Sequence, residues 1–249
     1  MTDKRVTTGV KGLDEMLDGG FLPGSMVLVR GAPGTGKTSL ALQFLIHGAT
    51  RQNEPGLLIS FEEFPSSLYR DAETLDWDLK GLEASGQLYL MFTSPEVFLA
   101  SLKSPDSQLN RLLLDANIRR LVLDSVSHFD RLVHGDDGGL QELRRIYTSV
   151  ANGLRREGIT AMLLGEEGRA MYQRTFKGGL SFIVDAIVML RYVEIESAIQ
   201  RAIMVLKMRG SAHAKEIRRY EIGSGGLTVL DVFEGREGLL SGSPHRTLS

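Results

Sequence analysis

The chain has 249 residues, 42% of them hydrophobic and 24% charged, which is enough to build a sizeable globular core. Its net charge of −2 and pI near 6.2 provide no overall basic surface, so we do not expect nucleic acid as a partner. The absence of cysteine excludes disulfides and thiolate-bound metals.

The beginning of the sequence and its hydropathy give an expectation for location. Residues 1–5 lead into no apolar signal segment, and no apolar run is long enough to span a bilayer. We therefore expect a cytoplasmic protein without membrane contact. No repeat or linker divides the sequence, so we predict one domain over 1–249 with a flexible polar tail from about 235 to 249.

The first predicted strand, 26–30, leads into Gly-Ala-Pro-Gly-Thr-Gly-Lys-Thr at 31–38. These eight residues form a complete G-x-x-x-x-G-K-[ST] phosphate loop. Apolar residues then recur on one helical face from Ala41 to Ala49. Strand, loop and helix in this order are the context that supports the motif, so we predict that the loop binds the phosphates of ATP.

Each position of the phosphate loop has an expected role. Backbone N–H groups at a helix N-terminus attract phosphate, and glycines allow the backbone to approach it closely. Lys37 would reach the β- and γ-phosphates, and the Thr38 hydroxyl would bind Mg²⁺. The predicted nucleotide-binding residues of this segment are Gly34, Thr35, Gly36, Lys37, Thr38 and Ser39.

A second buried strand, 57–61, is followed by two acids, Glu62 and Glu63. A hydrolytic enzyme needs a carboxylate to orient and deprotonate the attacking water. Adjacent side chains on a strand face opposite ways, so only one acid would face the γ-phosphate unless the strand has already ended. We predict Glu62 as the base, with Glu63 in support and Lys37 as the third catalytic residue. The alternative is a solvated acidic loop.

A further apolar strand, 120–124, ends in Asp124. An acid at a strand end is often a turn or helix cap, but beside a phosphate loop it helps to hold Mg²⁺. We therefore predict Thr38 and Asp124 as the metal ligands.

The remaining segments define the predicted fold class, which is α/β. Strands at 87–92, 159–164 and 184–191 alternate with helical segments, one of them an amphipathic helix through residues 140–154. This alternation predicts a mostly parallel sheet covered by helices. Consecutive strands at 201–208, 217–222 and 227–231 predict an antiparallel extension of that sheet.

Lys207 and Arg209 stand two residues apart in the apolar segment 203–210 and would share one face of a strand. Two cations on one face suggest a bound anion, such as the γ-phosphate of a nucleotide on a neighbouring subunit. An equally supported alternative is a solvated edge strand whose charges prevent it from pairing with another chain. His213 follows closely enough to reach the same anion.

Residues 8–14, 19–21 and 23–24 precede the phosphate loop as they do in the RecA superfamily. Together with residues 60–63, 75–78, 123–125 and 207–213, they resemble the KaiC family, the bacterial circadian clock ATPases. The resemblance covers almost the whole chain. Residues 192–195, 207–211 and 241–244 are most similar to the second of that family's two tandem domains.

The resemblance implies a RecA-like phosphate-loop core and a ring, usually a hexamer, with ATP between neighbouring subunits and a regulatory role. It supports Glu62 as the base and implies that Lys207, Arg209 and His213 act across the subunit interface. It also implies autophosphorylation. The Ser-Thr pair used there corresponds to Ser181-Phe182, which leaves only single-site modification of Ser181.

Two other functions use the same core. A recombinase-type ATPase would need basic loops, and the candidates are 128–139, which contains three Asp residues, and 168–179, which contains Arg169, Arg174 and Lys177. A nucleotide-dependent assembly protein would bind ATP at its interface without turnover. The paired acids at 62 and 63 favour an enzyme.

Overall fold

The computed structural model describes residues 4–133, 137–166, 180–233, 236–237 and 245–246. Among these residues, nine strands form one sheet in the order β3-β2-β4-β5-β1-β6-β7-β8-β9. The strands are β1 Met26–Gly31, β2 Gly56–Ser60, β3 Leu88–Phe92, β4 Arg120–Asp124, β5 Thr160–Glu166, β6 Ala186–Ile195, β7 Ala198–Met208, β8 Arg218–Gly223 and β9 Gly226–Val232.

The sheet has a parallel part and an antiparallel part. Strands β1 to β6 pair in parallel, and β7, β8 and β9 follow as antiparallel neighbours. We call β7–β9 the antiparallel extension. The predicted α/β class, the parallel sheet and its extension are therefore confirmed. The hairpin between β6 and β7 turns at Glu196 and Ser197, both with positive φ.

Helices occupy the connections between the parallel strands. They are α1 Leu13–Met16, α2 Lys37–His47, α3 Pro65–Glu73, α4 Leu79–Ala84, α5 Pro95–Lys103, α6 Gln108–Asp115, α7 Asp137–Arg156 and α8 Leu180–Ile183. A π-helical turn at Gly48–Gln52 continues α2, and a 3₁₀ helix spans Val126–Leu132. The predicted amphipathic helix is α7, which buries Leu143, Tyr147, Val150 and Leu154.

Both faces of the parallel strands are covered, which explains why β1 and β2 are buried along their whole length. One face packs against α1 to α4 and also carries inward residues of β8 and β9. The opposite face packs against α5, α6 and α7. The sheet therefore lies between two apolar layers, and the two ends of its strands are not covered by these layers.

Some predictions concern residues outside this description. Of the predicted tail, only the pairing of β10 (Arg236–Glu237) with β11 (His245–Arg246) is described. The basic segment 168–179 and part of the acidic segment 128–139 lie outside the described residues. The assignment of 1–249 to one domain stays a prediction.

Within the described part of the chain, none of the helices combines the length and the hydropathy that crossing a bilayer requires.

Candidate functional site

The phosphate loop, residues 31–38, connects the carboxyl end of β1 to the first turn of α2. Gly34 and Gly36 have φ angles of 79° and 87°, in the left-handed region that favours glycine. A Cβ on Gly36 would lie 2.3 Å from Cδ1 of Ile222 in β8. The backbone angle therefore favours glycine at position 36, and a larger residue would also displace the end of the Ile222 side chain.

Lys37 folds back onto its own loop. Its Nζ donates hydrogen bonds to the carbonyl oxygens of Gly31 at 2.9 Å and Ala32 at 3.2 Å. Burial lowers the pKa of Lys37, and the carboxylates of Asp124 and Glu166 oppose that shift. The ammonium group thus sits at the loop, close to two acids, where a phosphate would supply a stronger partner.

The two predicted metal ligands are in direct contact. Thr38 Oγ1 donates a hydrogen bond of 2.8 Å to Asp124 Oδ2. Burial raises the pKa of Asp124, while the Thr38 hydrogen bond and the charge of Lys37 lower it. Ser39 follows in the first turn of α2 and is half-buried.

Glu62 and Glu63 lie beyond the end of β2, so the alternation of a strand does not separate them. The buried Ser60 hydroxyl accepts hydrogen bonds from the backbone N–H groups of both acids, at 3.4 and 2.9 Å. Burial raises the pKa of Glu63, and the nearby charge of Asp124 raises it further. Both acids therefore lie in the electrostatic surroundings of Asp124.

His128 is a neighbour of Glu62 that the sequence did not reveal. Its Nε2 lies 3.5 Å from Glu62 Oε2, and its ring is buried. Its Nδ1 lies 3.3 Å from the Ser125 hydroxyl and 3.2 Å from the Ser125 carbonyl oxygen. This arrangement fixes the imidazole beside an exposed carboxylate.

Lys207 and Arg209 lie at the end of β7, which is at the opposite end of the strands from the phosphate loop. Lys207 Nζ donates to the carbonyl oxygens of Ser181 at 2.6 Å and Val184 at 2.8 Å. Arg209, just beyond the end of β7, donates to the Phe182 carbonyl and has its backbone N–H on the Asp185 carbonyl. Burial lowers the pKa of Lys207, and the charge of Arg209 lowers it further.

Asp185 connects this second cluster to the start of β1. Its Oδ2 accepts from the Met26 N–H at 2.9 Å and from Arg155 at 2.9 Å. The phosphate loop begins at the far end of β1, roughly 16 Å along the strand. The described structure of this chain therefore does not bring Lys207 and Arg209 to the phosphate loop.

His213 follows β7, and its Nε2 is 2.8 Å from Lys215 Nζ. Burial and the charge of Lys215 lower the pKa of His213.

Other residues of the site are separated from the loop by long stretches of sequence. Glu166, at the end of β5, contributes to the electrostatic field at Lys37. Its position at the end of an apolar strand, like that of Asp124, was a usable signal. Tyr192 of β6 and Tyr220 of β8 approach the loop from the sheet, and no local pattern indicated them.

The sheet order, the loop after β1 and the acid after β4 define a phosphate-loop protein with a RecA-like core. Comparison with protein families agrees with this class, because the family model for the KaiC ATPase matches residues 6–233. The chain therefore belongs to the KaiC ATPase family.

Individual relatives give the same result. The circadian clock oscillator protein KaiC of Rippkaea orientalis is 36% identical over 246 residues, and KaiC 1 of Synechocystis is 35% identical over 246 residues. Each match covers 98% of this chain and 46% of the relative. The chain thus spans about half the length of these clock proteins.

A solved structure matches over nearly its full length. The crystal structure of a KaiC-like protein from the hyperthermophilic archaeon Pyrococcus horikoshii OT3 superposes with a TM-score of 0.77 at 29% identity. The match covers 91% of this chain and 99% of that chain.

Proposed function

We propose that this protein binds and hydrolyses ATP with the help of Mg²⁺, and that it does so in a regulatory role as a KaiC-type ATPase. The observation that carries the proposal is the 2.8 Å hydrogen bond between Thr38 and Asp124 directly beside the phosphate loop. It joins a hydroxyl at the start of α2 to a carboxylate at the end of β4.

The residues at this contact fit a magnesium ion. Mg²⁺ prefers oxygen ligands and is usually held by one or two protein groups together with substrate phosphates and water. Thr38 and Asp124 provide two such oxygens, and the described residues contain no cluster of three His, Cys, Asp or Glu that would form an all-protein cage. When bound with ATP, the ion would neutralise charge on the β- and γ-phosphates.

The protein's own groups account for the rest of the reaction. The N–H groups of the loop and Lys37 would bind the phosphates, and Glu62 would accept a proton from the attacking water. The water oxygen forms a bond to the γ-phosphorus, and the bond to the bridging oxygen breaks to give ADP and phosphate. His128 would orient the Glu62 carboxylate, and the charge of Glu63 would influence its proton affinity.

We propose that ATP sits between subunits of a ring, with Lys207, Arg209 and His213 reaching the nucleotide of a neighbour. The support is geometric, since Lys207 and Arg209 lie at the opposite end of the strands from their own phosphate loop. In a head-to-tail ring, two different surfaces of the subunit meet at each interface, so the phosphate loop of one copy can face the Lys207 and Arg209 surface of the next. A six-membered ring is the size that the family resemblance implies.

Phosphorylation of Ser181 would be an added activity of such a ring. Ser181 is 9% exposed, and its backbone carbonyl accepts from Lys207. The buried residue would have to become more exposed before its hydroxyl could reach a γ-phosphate. Incubation with labelled ATP followed by mass spectrometry at Ser181 tests this activity.

The proposed function is tested by light scattering with and without ATP and Mg²⁺, with phosphate release measured on the same sample. We expect ATP to promote ring formation and phosphate to be released.

The substitution Lys37→Ala should weaken ATP binding by about 100-fold or more, since it removes the one cation of the loop that reaches the phosphates. Isothermal titration with a non-hydrolysable ATP analogue measures this. The matched control is Lys80→Ala, an exposed lysine paired with Glu73. Tight analogue binding by Lys37→Ala would contradict the proposed function.

A further inference from the structure

The antiparallel extension holds the phosphate loop from the side of the sheet. The Tyr220 hydroxyl donates a hydrogen bond to the backbone carbonyl of Thr35, 185 residues earlier in the chain. Tyr220 is 1% exposed and belongs to the apolar layer beside α2. A buried tyrosine hydroxyl needs a partner, and here that partner is the loop itself.

This bond determines which way one loop peptide faces. In a trans peptide the C=O of one residue and the N–H of the next point in opposite directions. Because the Thr35 carbonyl points toward Tyr220, the Gly36 N–H points away from the extension, toward the open side of the loop. That N–H is one of the groups that would receive a phosphate oxygen.

Other carbonyls of the loop are held in a similar way. The Gly31 and Ala32 carbonyls accept from Lys37, and the Thr35 hydroxyl donates to the Ala32 carbonyl at 2.8 Å. Lys37 would leave its carbonyls when it binds a phosphate. The Tyr220 bond can persist in both states, because it comes from outside the loop.

The Tyr220 hydroxyl is also a constant donor. Burial raises the pKa of Tyr220 well above its usual range, so the hydroxyl keeps its proton at any working pH. The charge of Arg201 opposes this shift, and the hydroxyl of Tyr192 adds to it.

A second contact fixes the extension to the helix that follows the loop. The Gln43 side chain in α2 donates to the Leu227 carbonyl at 3.3 Å and accepts from the Leu227 N–H at 2.7 Å. With Ile222 against Gly36, the β8–β9 hairpin therefore contacts both the loop and α2. The loop cannot change its backbone orientation without disturbing buried contacts of the hairpin.

We propose that Tyr220 is a positioning residue that holds the Thr35–Gly36 peptide with its N–H directed at the nucleotide phosphates. The proposal rests on the proposed ATP-binding function. Tyr220 acts through the loop backbone and does not itself contact the nucleotide.

The test compares Tyr220→Phe with Tyr147→Phe. Tyr147 is also buried, and its hydroxyl also donates to a backbone carbonyl, that of Val126 at 3.4 Å. It lies in the apolar layer on the opposite face of the sheet. Each substitution removes one hydroxyl and keeps the ring, so both variants lose a comparable structural contact.

Chemical shifts, nucleotide binding, steady-state kinetics and thermal stability together separate positioning from a structural role. The Thr35 carbonyl ¹³C shift and the Gly36 amide shift are recorded without nucleotide. The Kd for a non-hydrolysable ATP analogue and the kcat and KM for Mg·ATP are then measured, with the Tm of each variant.

We expect Tyr220→Phe to move both shifts and to raise Kd and KM by about fivefold, the effect of one misdirected hydrogen bond, with kcat within about twofold of wild type. Tyr147→Phe should lower Tm without changing Kd or KM.

The outcomes distinguish this inference from the proposed function. Normal wild-type binding with unchanged Kd and KM in Tyr220→Phe would overturn the inference alone, even if Tm fell. Equal rises in KM for both tyrosine variants would also overturn it, because a general loss of stability would explain them. A wild-type protein that binds no ATP analogue would overturn the proposed function and the inference together.

Discussion

Thr38 and Asp124 are 86 residues apart in sequence, and a 2.8 Å hydrogen bond joins their side chains. The contact forms because β4 pairs with β5, and β5 pairs with β1, so the carboxyl end of β4 lies near the first turn of α2. The fold itself therefore holds the hydroxyl and the carboxylate in contact. This pre-arrangement lowers the cost of ordering ligands around a cation.

Asp124→Asn should stabilise the nucleotide-free, magnesium-free protein at neutral pH. Burial raises the pKa of Asp124, so between its unfolded value of about 4 and its raised folded value the folded state binds more protons than the unfolded state. Wild-type stability therefore falls as pH rises through this interval, and Asn does not titrate. The stability difference between variant and wild type should grow with pH there and vanish below it.

Urea unfolding over a pH series without Mg²⁺ measures this difference. The exposed Asp115→Asn variant is the control and should follow the wild-type curve. The same Asp124→Asn variant should lose about 100-fold or more of its Mg-dependent ATPase rate. A stability difference that shrinks as pH rises would show that the assignment of the pKa shift is wrong.

Glu62→Gln and Glu63→Gln should have unequal effects on hydrolysis. If Glu62 takes the proton from water, its amide variant should lose about 100-fold in kcat while ATP binding is kept. Glu63→Gln should lose about tenfold, since it acts on Glu62 through charge. Single-turnover phosphate release measures both.

The ratio of the two losses in kcat decides which acid is the general base. A larger loss for Glu63→Gln would make Glu63 the base and Glu62 the supporting residue. Ring formation with ATP in Glu62→Gln, together with negligible turnover in the wild type, would instead favour a non-hydrolysing assembly protein.

A mixing experiment tests whether Lys207 and Arg209 act across an interface. The double variant Lys207→Ala/Arg209→Ala keeps its phosphate loop, and Lys37→Ala keeps its cations, so each alone should be inactive. In rings mixed at random from equal amounts of the two variants, about a quarter of the interfaces would combine an intact loop with intact cations, and ATPase activity should return to about a quarter of the wild-type rate.

The comparison is made at constant total protein concentration, with each variant also mixed with itself. Absence of any recovery would contradict the proposed contribution between subunits, provided that light scattering shows mixed rings of normal size.

Arg120→Ala should destabilise the protein by about 3 kcal/mol, because it leaves buried partners without their cation. The fully buried Arg120 is paired with Glu54 at 2.7 Å and donates to the Thr7 and Phe44 carbonyls at 2.7 and 2.8 Å. Urea unfolding measures the change. Its exposed neighbour provides the control, since Arg119→Ala should change stability by less than about 0.5 kcal/mol.

The strands were predictable because each has a local pattern. The apolar run at 26–30 before the phosphate loop is β1, and the run at 120–124 is β4, with the predicted bounds nearly unchanged. Strand ends were less certain, and β2 stops at Ser60, one residue earlier than predicted. Glu62 and Glu63 lie beyond the strand in both the prediction and the structure, and only the structure shows that both are close to Asp124.

Contacts between distant segments were not predictable in the same way. The proximity of His128 to Glu62 depends on how the 3₁₀ helix after β4 packs beside the end of β2. The distance of Lys207 from its own phosphate loop depends on β7 running antiparallel to β6. The spacing of residues along the chain predicts neither the proximity of His128 to Glu62 nor the distance of Lys207 from the loop.

By itself, the sequence determined the α/β class, the phosphate loop at 31–38 and the acids that follow two apolar strands, because turn geometry and side-chain alternation act over a few residues. Only the tertiary structure decided that Tyr220 supports Thr35 and that Lys207 and Arg209 lie at the opposite end of the strands from the phosphate loop. The reason is strand order, since the pairing of β1 with β5 and β6 brings together segments more than a hundred residues apart.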